Sequence, residues 1–315
     1  MMQGITAAEI ATKLGYDIAG DGEITITGFS YAPDARCSDL AIAFNKKEIE
    51  NTKAQVVLSE PHLLISDKTF IFFYEYADMA LIKVAALMIN KGIYHDYSIP
   101  PVYHLDRRGF MCGKNTVIGE NTEIAPYVCI GDDVTIGNHV RIGEGVYIGS
   151  GTTIGDNVKI MSGAKIGASA FFHSYDDRYT QFVGVGNAVI GNYTEIGYNT
   201  VIQRGTLSDT VVGENCVIGN LVDIGHDCKI GCDCRIVSQS GIAGNVSIGN
   251  CVQIFGKAAI ANDLTIEDYA IIKGYTAVTK NVRRGEVIIG VYGRPMREEI
   301  KRRAIINKIL RKELK

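Results

Sequence analysis

The chain has 315 residues, enough for one or two domains with a sizeable core. A net charge of −3 at pH 7 gives no bulk pull toward nucleic acid. Hydrophobic residues make up 46% and glycines number 35, a composition that excludes a disordered chain and points to a regular, glycine-punctuated repeat.

The N-terminal stretch MMQGITAAEIATKLG has no basic start followed by a long apolar run, so no signal peptide is expected. The longest apolar runs fall short of a transmembrane span. With eight cysteines in this context, the expectation is a reduced, cytoplasmic protein with buried or idle thiols. Residues 6–15 read as a helix. ITITGFSY, LAIAF and AQVVLSE read as strands, and ADMALIKVAALMIN has apolar residues at helical spacing. Residues 1–100 are therefore expected to form a small α/β domain, a candidate for nucleotide or substrate binding. Pro100 and Pro101 mark a linker over 101–111.

Beyond it, aliphatic residues recur at every sixth position from Ile118 to Ile166, usually followed by Gly. The pattern resumes at Ile190, Ile196 and Ile202, shifts by four residues, and runs from Val212 to Val278. A period of six fits neither a helix nor an ordinary strand. It fits a triangular solenoid in which each hexad is one strand and one corner, and three hexads close one coil. The aliphatic residue then points inward and stacks on its counterpart one coil later. This pattern over 112–280 resembles the left-handed parallel β-helix of hexapeptide-repeat acyltransferases, so the expected fold is mainly β. Two breaks interrupt it. Residues 172–189 lose the pattern but keep register, as an external loop or an irregular coil. Residues 208–211 add four residues, as a small bulge. Breaks in a solenoid are where function tends to sit.

The segment 281–315 is expected to be a turn followed by an amphipathic helix. From Arg294 onward it holds nine Lys or Arg and three Glu. That is a solvated face or a docking site for an acidic carrier protein.

Together these parts resemble the UDP-3-O-acylglucosamine N-acyltransferase family of lipid A biosynthesis. The motif TVIQRGTLSDTVVGENCVIGNLVDIGHDCKIG at 200–231 carries the likeness most strongly. The stretch ITGFSYAPDARCSDLAIAFNKKE, ending at Glu48, and GVYGRP around Gly290 and Pro295 add to it. Gln203-Arg204-Gly205 stands where the family has Asp-Arg-Gly, and Phe172 where it has Gly. Ile42 and Glu48 stand where the family has aromatic residues around the Asn matched by Asn45. The resemblance implies a homotrimer that acts on a nucleotide-linked amino sugar. The implied donor is acyl carrier protein or coenzyme A carrying the acyl group, with no permanently bound cofactor. HDC at 226–228 is also similar to acetyl-CoA-dependent N-acetyltransferases of nucleotide amino sugars. A third reading is a non-catalytic binding or scaffold β-helix.

Acyl transfer from a thioester to an amine needs a base and donors for the tetrahedral oxyanion. His226 sits off the core-facing position, near a corner, and a neutral imidazole suits the task of accepting a proton. It is the candidate general base, as the resemblance also implies. Gly244 follows it by three hexads, so it should stack one coil above with its backbone N–H facing the reacting oxygen. Candidate substrate contacts are Asn220, one hexad before His226; Asp209 in the bulge, which could instead orient His226; and His173 beside Tyr175, Asp176 and Asp177, where a neighbouring subunit's loop could close over His226. The resemblance adds Asn45. His226, Cys228, Cys232 and Cys234 mimic zinc spacing, but Cys228 and Cys234 fall at inward positions, so no metal is expected.

Overall fold

The computed structural model describes residues 4–64, 67–97, 101–105, 109–175, 178–290 and 295–313. Its N-terminal part is a five-stranded sheet with helices on both faces. The elements run β1 (Ile5–Thr6), α1 (Ala7–Leu14), β2 (Asp17–Ala19), β3 (Thr25–Ile26), β4 (Gly28–Tyr31), β5 (Asp39–Ile42), α2 (Lys46–Asn51), β6 (Val56–Ser59), β7 (Thr69–Phe72) and α3 (Ala77–Asn90). The sheet order is β2-β7-β6-β5-β4, parallel except for β2. Alternation along β5 divides the core: Leu40 and Ile42 pack under α1 and α3, whereas Ala41 and Ala43 pack with Ile49 of α2 on the other face. β7 lies outside the strands expected from sequence. Its Thr69-Phe70-Ile71-Phe72 run is buried on both sides and so shows no alternation.

The rest is a three-sided parallel β-solenoid, a left-handed parallel β-helix, with sheets of eight, nine and ten strands. The hexad period produces it directly. Ile224 pairs with Ile242, and Ile242 with Ile260, each three hexads on and each buried. Each hexad turns through one residue in the left-handed region, such as Asp227 (φ 59°) or Asn245 (φ 58°), where Asp and Asn cost least. Cys228 and Cys234 lie in this core among the stacked isoleucines. Burial pushes the Cys228 thiol up to about 12, which keeps it protonated and unreactive. Among the described residues no cluster of metal-ligating side chains forms, and no helix is long and apolar enough to cross a membrane.

A core prediction follows from this stacking. Ile236 is 1% exposed and sits between Ile218 and Ile254 of adjacent coils. Ile236→Ala should destabilise the protein by about 2–5 kcal/mol, read from the denaturant midpoint at unchanged slope.

The solenoid is longer than its clearest repeats. The expected linker contributes His104–Leu105, which pairs antiparallel with Met111–Cys112 and caps the ten-stranded sheet. At the far end Val287–Ile288 adds a strand beside Ile271–Ile272, beyond the expected boundary at 280. Residues 172–189 form no coil. Val189 pairs directly with Thr153, and Phe172–Tyr175 and Tyr179–Phe182 extrude as an antiparallel hairpin. Asp176 and Asp177 lie outside the described residues. The four extra residues sit slightly earlier than expected: Thr210 and Val211 are already in strand, and the irregular turn is 204–209. It is tight at Gly205, where a Cβ would fall 1.4 Å from the Ser208 carbonyl oxygen.

Hairpin and bulge hold the N-terminal domain. Phe182, Val185 and Leu207 share a core with α1, α3 and the sheet. α4 (Met296–Glu313) follows, with Ile300 and Ile305 more than half exposed.

Candidate active site

The ten-stranded and eight-stranded sheets meet at a corner formed by residues 225–228, between the strands Asp223–Ile224 and Lys229–Ile230. His226 stands there with its side chain 13% exposed, on a coil whose inward Ile224 fixes the backbone. The next residue, Asp227, takes the left-handed corner conformation, which turns its carboxylate back beneath the imidazole. Its Oδ2 lies 2.8 Å from His226 Nδ1. A carboxylate only accepts, so in the neutral imidazole Nδ1 carries the proton and Nε2 keeps a free lone pair.

The bulge at 204–209 is wrapped around that carboxylate. Thr206 N–H (3.0 Å), Ser208 N–H (3.1 Å) and Ser208 Oγ (3.2 Å) donate to Asp227 Oδ1. The Thr206 hydroxyl donates to Oδ2. Such bonding pins the carboxylate in one place. Asp227 is 2% exposed, so breaking this set would strand a buried charge. Arg204 anchors the bulge. Its Nε donates to the Gly186 carbonyl (2.9 Å) and its Nη2 to the Ser150 carbonyl (3.2 Å), with the guanidinium stacked on Tyr97. Burial weakens its hold on the proton, partly offset by Tyr97.

Gly244 lies above the imidazole. A Cβ there would fall 2.5 Å from both Cε1 and Nε2 of His226, so the glycine backbone borders the free nitrogen. At several other corners of the solenoid, the residue at the second place after the aliphatic one bonds across coils. Its side chain accepts from the N–H one coil before, as Asp132 does from Lys114 (2.9 Å) and Asn250 from Cys232 (2.8 Å). At 244 there is no side chain to make that rung. Among the described residues the Gly244 N–H engages no acceptor.

The other sequence candidates separate. Asn220 is one of these rungs: its Oδ1 accepts from Tyr198 N–H at 2.9 Å, leaving the amide nitrogen for a ligand. Asp209 does not orient His226. Its Oδ1 accepts from Asn187 N–H at 2.7 Å, because the turn directs it toward the coil below. Asn45 caps α2, with both ends of its amide bonded to Glu48 (3.0 and 2.6 Å). His173 pairs edge-on with Phe171 at 4.9 Å. The hairpin residue that reaches His226 is Phe172 of the same chain, edge to face at 5.6 Å and 84°. Sequence reasoning missed the roles of Asp227, Thr206, Ser208 and Phe172 here. The available signal was the adjacency of His226 and Asp227 at a corner, where an Asp reads first as a turn residue.

Comparison with known proteins gives a consistent result. Residues 115–150 match the family model described as bacterial transferase hexapeptide (six repeats). The chain is 33% identical over 122 residues to a UDP-3-O-acylglucosamine N-acyltransferase of Bordetella pertussis, covering 39% of this chain and 34% of the relative. It is 33% identical over 118 residues to the protein of that name from Rhizobium meliloti, covering 38% and 33%. The matched stretch thus spans about a third of the length of these relatives. Among solved structures, a UDP-N-acetylglucosamine acyltransferase from Campylobacter jejuni superposes with a TM-score of 0.53 at 25% identity, covering 58% of this chain and 70% of that one. Another from Bacteroides fragilis gives 0.53 at 26%, covering 64% and 78%.

Proposed function

We propose that this chain, a hexapeptide-repeat protein of the acyltransferase type, moves an acyl group from a thioester carrier to the amine of a nucleotide-linked amino sugar. The observation that carries the reading is the Asp227–His226 pair with its free Nε2 against the Gly244 backbone. In the reaction the sugar nitrogen attacks the thioester carbonyl and gives its proton to His226 Nε2. The Gly244 N–H supports the oxyanion that forms on the carbonyl oxygen. The intermediate collapses, the carbon–sulfur bond breaks, and the imidazolium returns its proton to the departing thiolate. Asp227 holds the imidazole in the required tautomer and balances its transient charge.

The favoured acceptor is a UDP-3-O-acylglucosamine, the substrate in the relatives' name, and the favoured donor is a 3-hydroxyacyl group on acyl carrier protein. Asn220, through its amide nitrogen, and His173 are proposed substrate contacts. The basic α4, exposed over 300–307, is proposed to meet the acidic carrier protein. The working form is proposed to be a homotrimer with the site at the subunit boundary. The likeness to the Campylobacter jejuni structure favours a second reading, transfer to a hydroxyl of UDP-N-acetylglucosamine.

One competition assay separates these readings. The protein is given hydroxyacyl carrier protein and acetyl-CoA together, with UDP-3-O-acylglucosamine or UDP-N-acetylglucosamine as acceptor. The proposal expects hydroxyacylation of the amine to exceed every other product by at least about 10²-fold in kcat/KM. Acetylation as the main product would move the donor to coenzyme A, and acylation of UDP-N-acetylglucosamine would move the acceptor to a hydroxyl.

A further inference from the structure

The geometry points to Tyr31, in β4 of the N-terminal domain, as a positioning residue for the His226 base, acting through Thr206 and Asp227. This inference rests on the acyl-transfer reading only for its consequence in kcat. The hydrogen bonds themselves are independent of it.

Tyr31 Oη lies 3.1 Å from Thr206 Oγ1. The Thr206 hydroxyl bonds Asp227 Oδ2, the same oxygen that lies 2.8 Å from His226 Nδ1. The direction of the chain follows from proton supply. The Asp227 carboxylate only accepts, so Thr206 donates to it. A hydroxyl has one proton, so with that proton committed Thr206 accepts from Tyr31. The result is an ordered relay, Tyr31 O–H to Thr206 O–H to Asp227, with His226 N–H meeting the same carboxylate from the other side. Bonds in such a chain polarise one another. Burial and the Asp227 charge both raise the Tyr31 pKa above its ordinary value, which keeps the phenol a donor.

The relay crosses a domain boundary. Tyr31 packs against the shared core of Phe182, Val185 and Leu207, so the seating of the N-terminal domain sets the position of its hydroxyl. The β-helix therefore presents a base whose partner carboxylate is tuned from another domain. Removing the Tyr31 hydroxyl makes Thr206 a weaker donor. Negative charge on Asp227 becomes less dispersed, and the imidazolium form of His226 is favoured. Among the described residues, Asp78 of α3 and Asp263 of an upper corner also act on Tyr31, and Cys228, next to Asp227, feels Asp223 and Lys229 on the same coil. The substitutions leave all of them in place, so they cancel in a comparison with the parent.

The test is an NMR titration of the His226 imidazole in the full chain, with kcat and KM measured on the same variants. Tyr31→Phe keeps the ring and its packing. It should raise the His226 midpoint by about 0.3–0.5 pH unit and lower kcat about twofold to threefold at a pH below that midpoint, with KM little changed. Thr206→Val should shift the midpoint further in the same direction, and Thr206→Ser should restore the parent value. The double variant should match Thr206→Val alone, because Tyr31 acts only through Thr206. An unmoved midpoint in folded Tyr31→Phe, or a double-variant shift equal to the sum of the singles, overturns the relay. A raised midpoint in a protein that turns over no amino sugar supports the relay while removing the transfer reading.

Discussion

His226→Ala is expected to lower kcat for acyl transfer by about 10²–10⁴-fold with the fold intact. The size follows from what the substitution removes. An amine attacking a thioester must lose a proton as the carbon–nitrogen bond forms, and the three atoms nearest a Cβ at Gly244 all belong to the His226 ring. The substitution also leaves Asp227 buried with its other donors in place. Four bonds from Thr206 and Ser208 still satisfy the carboxylate, so the loss of one partner costs stability without unfolding the corner. Thermal unfolding should stay within a few degrees of the parent while turnover collapses. A variant that kept more than half of the parent kcat would remove His226 from the reaction.

Gly244→Ala is the second large effect, expected at about 10²-fold or more in kcat. Alanine keeps the backbone N–H, so the substitution does not remove the oxyanion donor. It fills the space where the reacting atoms meet, with a methyl group 2.5 Å from His226 Cε1 and Nε2. The ring has little room to yield. Asp227 holds Nδ1 at 2.8 Å, and Phe172 stands edge-on at 5.6 Å. Either the imidazole leaves its tautomer-fixing bond or the backbone of the upper coil moves, and both displace the donor from the oxyanion. Initial rates at saturating donor measure this directly. A kcat within threefold of the parent would show that the glycine is there only for coil packing.

How much of this was readable without coordinates depends on which residues carry the information. The β-helix was legible because every Ile from Ile118 to Ile166 obeys one rule, and that rule has one geometric solution. Its ends were not, because His104–Leu105, in the expected linker, and Val287–Ile288, beyond 280, join the sheets without the Ile-Gly signature. The stacking of Gly244 on His226 came from counting three hexads through an uninterrupted stretch. The partner of His226 was harder. Asp209, in an irregular segment, was offered as a substrate contact that could instead orient His226, but its carboxylate accepts from Asn187 N–H. Asp227 was hidden by occupying a corner position, where Asp is ordinary for backbone reasons. Phe172 and Tyr31 lie far from His226 in sequence, so only the folding-back of the hairpin and the docking of the N-terminal domain bring them near.

The most direct measurement is mass spectrometry of the nucleotide sugar after incubation with acyl carrier thioester, run in parallel for the parent and His226→Ala. The account predicts that the parent adds one acyl group to the sugar nitrogen and releases one free thiol per product, and that the variant does neither. Folded parent protein that leaves the sugar unchanged, or a variant that acylates it as fast as the parent, would contradict it.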